Sequence, residues 1–183
     1  MRLLRPMEAT GRYRRRQVAG WFRRGDRTPW GDRRFMGRDG SEWVPPAHSE
    51  EESARLYGYN PHSQVKMVMT PAEYRRLAEQ IWVRQGASPT HAWKRKQEEL
   101  DEARERGLAA RFAAGEVVDA AFLDIDPETM EPLAQEGAHR TVLAGAMGMH
   151  KIPVIVYARH RGRHEWADAD FRARLARYGE VVG

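Results

Sequence analysis

The feature that most constrains this chain is a glycine set between two apolar runs of different period. Ala120 to Ile125 is apolar but for Asp124 and is bounded by Asp119 and Asp126, which suits a buried strand. Asp126-Pro127-Glu128-Thr129 has turn chemistry, and Glu131 to Gln135 returns as a second strand. Gly137 then precedes a short apolar helix over His139 to Met149, and the β-branched run from Ile152 to Tyr157 forms another strand. A glycine between strand and helix permits a tight turn and close backbone approach. The helix that follows opens with free backbone N–H groups and a partial positive charge, so this end favours an anion. His139 and Arg140 fall in that first turn. Cations there oppose the helix dipole unless an anion is held, so the turn is either an ordinary strand-to-helix connection with surface His and Arg or a phosphate site.

Upstream, Gln64 to Met69 reads as a strand with Val65, Met67 and Met69 on one face. Thr70, Pro71 and Glu73 spell a capping box with proline at the first helical position. The spacing of Tyr74, Leu77, Ala78 and Ile81 predicts a helix to about Arg84, ended by Gly86. A long charged helix is expected over His91 to Ala114, with a break near Gly107. Pro153 suits an edge or the start of its strand. Arg159 to His164 reads as a basic loop, and Ala169 to Tyr178 as a last amphipathic helix with Phe171, Leu175 and Tyr178 on one side. The elements define an α+β domain: a small mixed β-sheet flanked by helices, over residues 49–183.

Residues 1–48 read as a basic, partly irregular N-terminal extension. The whole chain of 183 residues carries a formal charge of +5, but its first forty residues hold twelve arginines against four acids. That stretch is +8 and the remainder −3. Arg12, Arg14, Arg15, Arg16, Arg23 and Arg24 are accompanied by Tyr13, Trp21, Phe22 and Trp30. Such a pattern can contact a nucleic-acid backbone and stack on bases, or serve as a protein-docking tail. The chain has no cysteine, which excludes disulfides, thiolate zinc sites and cysteine nucleophiles. His160 and His164 have i, i+4 spacing but lie in the basic loop, so no metal ligands are assigned. No apolar run approaches the roughly 20 residues that span a bilayer, and a cytoplasmic protein without a membrane partner is expected.

The run FLDIDPETMEPLAQEGAHRTVLAGAMGMHKIPVIVYA, residues 122–158, resembles the ParB/sulfiredoxin superfamily. It matches that family's strand, hairpin, acidic-Gly-x-(His/Arg)-Arg turn, helix and Ile-Pro-Val strand. VKMVMTPAEYRRLAE, residues 65–79, is a weaker match to the family's earlier strand and helix. The resemblance implies a nucleotide, ATP or CTP with magnesium, whose phosphates are held by Gly137, Ala138, His139 and Arg140, with a hydroxyl from Thr141. Glu136 is placed beside the turn, near a metal or a substrate hydroxyl. Glu136, Asp124 and Glu73 are the candidate catalytic carboxylates; Glu73 reads first as the capping-box residue of its helix and second as a catalytic group, and Asp124 is a carboxylate within an apolar strand that needs a partner. The family's sulfiredoxins have cysteine where Ala138 stands, which excludes their sulfinic acid chemistry here. About 25 residues follow Tyr157, too few for the helix-turn-helix domain of ParB segregation proteins. The expected function is that of a stand-alone nucleotide-binding core, a phosphotransferase, NTP hydrolase or nuclease. The alternative is a non-catalytic protein that binds DNA or RNA through residues 1–40.

Overall fold

The computed structural model describes residues 30–46, 61–88 and 102–182. After a short 3-10 turn at Pro61–Ser63 come β1 (Gln64–Met69), α1 (Pro71–Arg84), α2 (Glu102–Ala113), β2 (Ala121–Ile125) and β3 (Pro132–Glu136). Then follow α3 (Ala138–Ala146), β4 (Ile152–His160), β5 (Arg163–His164), α4 (Ala169–Leu175) and β6 (Glu180–Val182).

One mixed sheet organises these elements, in the order β3-β2-β4-β1-β6, with β5 paired to β4. β4 lies at its centre, parallel to β2 and antiparallel to β1. In register, Val65, Leu123 and Val156 lie side by side, as do Met67, Ala121 and Val154. All six are buried, and helices α1 and α3 pack together beside this sheet. Alternate residues Phe122, Asp124 and Ile155 are only half-buried, as the period of two requires. Among the described residues, no helix is long and apolar enough to cross a membrane.

α1 begins as its capping chemistry dictates. Thr70 is extended, and its side chain accepts from the Glu73 N–H at 3.0 Å. Only half of the capping box forms, because the Glu73 carboxylate pairs with Arg76 at 2.6 Å. Gly86, with φ of 82°, ends the helix in the left-handed conformation.

Four features depart from the expectations. Helix α2 runs unbroken through Gly107, whose position opens onto free space and imposes no kink. The supposed basic loop is a hairpin: β4 continues to His160, and Arg161 and Gly162 both take positive φ, the geometry of a tight turn between twisted strands. β6 was not anticipated; three residues carry too short an alternation to show a period, yet they pair with Lys66–Val68. Finally, residues 30–46 are not outside the core. Trp30, Phe35 and Trp43 are fully buried, Trp43 donates to the Val118 carbonyl at 3.1 Å, and its ring packs on Phe112. Backbone bonds from Arg38 to the Met147 carbonyl and from Glu42 to the Phe112 carbonyl fasten this segment down. Full burial of each such ring contributes about 1.5–3 kcal/mol.

Candidate functional site

Gly137 joins β3 to α3 with φ of 98°, a conformation costly for any residue with a side chain. It is the N-cap of a nine-residue helix and offers no side chain to bond the helix's first amides. The turn is also crowded. A Cβ at this position would lie 3.1 Å from Ala121 Cα. Glycine is therefore required both by conformation and by close approach of β2.

Tyr74 of α1 fixes the strand just before the turn. Its hydroxyl donates to the Glu136 carbonyl at 2.8 Å and lies 3.0 Å from Gln135 Oε1. Burial pushes this phenol far above its ordinary range, with Arg140 partly opposing, so Tyr74 remains a neutral donor. In the sequence, Tyr74 carries no mark distinguishing it from the other apolar positions of α1.

Arg140 folds back over the turn. Its Nη2 and Nε lie 2.9 and 3.0 Å from where a Gly137 Cβ would stand. The side chain is only 16% exposed. Asp119 Oδ2 is 3.9 Å from Nη1 and Glu136 Oε1 is 3.8 Å from Nη2, both beyond hydrogen-bond length. Its Nε is buried with no hydrogen-bond partner. The guanidinium is thus flanked by charge but short of acceptors. Asp119, read in the sequence only as the bound of a strand, is a neighbour of this site.

The remaining expected phosphate ligands divide. His139 is half-buried in the same turn. Ala138 turns its methyl into the core, leaving its backbone N–H as the group it can offer. Thr141 does not suit the expected role: it is 1% exposed, and its hydroxyl donates to the Ala138 carbonyl at 2.8 Å. Bonding within the helix takes up the proton that a phosphate would need.

Of the candidate carboxylates, two meet. Asp124 and Glu136 line one cleft of about 150 Å³ with Phe122, Ala134, Gln135 and Tyr157. Asp124 has the partner its position demands, Arg159 at 2.7 Å. Glu73 does not line this cleft and is held by Arg76 on α1. Asp126 is a turn former: Oδ1 accepts from the Glu128 and Thr129 amides, and Oδ2 lies 2.9 Å from His160 Nδ1. Burial would raise its pKa, but the His160 bond and the two amides outweigh it and hold the carboxyl below its ordinary value.

His160 and His164 diverge, the first to Asp126 and the second to Ser63 at 3.3 Å. Among the described residues, no group of three or more His, Asp or Glu side chains is placed to hold a metal ion. Arg12, Arg14, Arg15, Arg16, Arg23 and Arg24 lie outside the described residues. No protein-family model, curated protein or solved structure matches this chain.

Proposed function

We propose that the chain is a ParB/sulfiredoxin-like nucleotide-binding protein that holds phosphate at the Gly137–Arg140 turn. The observation that carries this reading is the buried Arg140 Nε without an acceptor, beside a helix start that has no side-chain cap. An entering phosphate takes the place of two distant carboxylates, accepting from the guanidinium and from the amides of Ala138 and its neighbours. Charge-assisted bonds of this kind are the strong ones. Glu136 lies beside Arg140 and also lines the cleft with Asp124, so one carboxylate stands next to the proposed phosphate position and a second lines the adjoining cleft. In a phosphotransferase or NTP hydrolase, such groups take a hydroxyl proton or hold magnesium.

The experiment is a thermal-shift screen of ATP, CTP and other nucleotides with and without magnesium, followed by calorimetry. A ligand that binds the folded state raises the unfolding midpoint. Arg140→Ala should lower nucleotide affinity at least tenfold, about 1.4 kcal/mol. Equal affinities of the variant and the parent chain would reject the site.

A further inference from the structure

A second cleft, which shares no lining residue with the one that Asp124 and Glu136 line, has its own chemistry. It encloses about 380 Å³ between the turn at Pro127-Glu128 and helix α4, with Phe171 in its lining and Trp166 at its mouth. Trp166 is 63% exposed, the most exposed large apolar side chain among the described residues. Its indole is nevertheless held. His62 stacks on one face with centroids 4.3 Å apart and planes 11° apart, and the next residue, Ala167, donates its N–H to the His62 carbonyl at 2.8 Å. The structure therefore presents a fixed aromatic face to solvent beside a cleft.

The charges around that face are acidic. Glu128, Glu165, Asp168 and Asp170 line the cleft against one arginine, Arg174. Two of these acids have internal duties: Asp168 caps α4 through the Phe171 N–H, and Asp170 pairs with Arg174 at 3.0 Å. Arg174 is further occupied by the Pro127 and Glu128 carbonyls. Glu165 and Glu128 remain, the latter no closer than 3.7 Å to His160. A flat indole with carboxylates at its side suits a planar cation. Guanidinium stacks on such rings and bonds carboxylates in a bidentate fork. The same acids repel the phosphates of a nucleic acid.

We propose that this cleft is a docking site for an arginine-bearing peptide segment of a partner protein, with the guanidinium on Trp166 and bonded by Glu165 and Glu128. The test is fluorescence anisotropy of a labelled octa-arginine peptide titrated with the full chain. Saturable binding is expected, weaker for octalysine. Trp166→Ala should weaken it about fivefold and Glu165→Gln about threefold, the range of exposed cation–π and ion-pair contacts. Glu165 is exposed, so Glu165→Gln should unfold at the parent temperature, and Trp166→Ala should fall only slightly below it through loss of the His62 stack. Binding that is not saturable, or that both variants leave unchanged, overturns the proposal. So does a single-stranded DNA oligonucleotide whose binding depends on Trp166.

Discussion

The guanidinium of Arg140 occupies the space over Gly137 that any other residue's side chain would need. Gly137→Ala therefore meets two penalties, a left-handed φ of 98° and a clash with Arg140 and with Ala121 Cα. The expected cost is about 1–3 kcal/mol from the backbone conformation alone. Denaturant unfolding of the variant measures it, and the displaced arginine should also lose nucleotide.

In the proposed site, Asp119 would compete with phosphate for Arg140. Its carboxylate stands 3.9 Å from Nη1, close enough for charge and too far for a hydrogen bond. Asp119→Asn should raise nucleotide affinity a few-fold while leaving the unfolding midpoint nearly unchanged, since the exposed Asp119 carboxylate makes no hydrogen bond to Arg140. Calorimetry with the ligand identified by the nucleotide screen tests this; weaker binding would assign Asp119 a supporting role.

Tyr74→Phe keeps the ring in the core and removes the donor to the Glu136 carbonyl. Losing this part-buried hydrogen bond should cost about 0.5–1.5 kcal/mol. Amide hydrogen exchange should quicken at the end of β3 more than in β1, because the lost bond is local to the turn.

Asp126 sets an acid limit on stability. Its carboxyl binds protons less readily in the folded chain than in the unfolded one. Its contribution is therefore complete above the ordinary aspartate value of about 3.9 and is lost as pH falls through the lower folded-state value. Thermal midpoints across that acid range should drop less steeply in Asp126→Asn than in the parent chain. The variant should also be less stable near neutrality.

Trp43→Ala should cost about 3–5 kcal/mol, as large aromatic truncations in a core do. Its ring is fully buried and its indole N–H holds the Val118 carbonyl. Chemical denaturation would show the loss as a shifted midpoint.

The elements with strong local signals were legible in the sequence. Thr70 and Pro71 marked the start of α1, and Ala120 to Ile125 marked β2, because capping and burial act on neighbouring residues. Gly137 was legible as a turn for the same reason. What escaped depends on distant partners. Trp30 and Trp43 sit in an arginine-rich context that resembles an extension, and only the folding of residues 30–46 onto the rest of the domain buries them. β6 is defined by its pairing with β1 alone. Thr141 shows the limit at the site itself: its place in the turn was visible, but the direction of its hydroxyl follows from helical backbone geometry.

The central place of β4 has a consequence for how the chain is made. β2 and β3 can pair as soon as both have left the ribosome, but β1 has nothing of this sheet beside it until residues 152–160 emerge. For more than eighty residues of synthesis its backbone and its methionines stay exposed, so nascent chains should depend on chaperones until β4 inserts between the two halves.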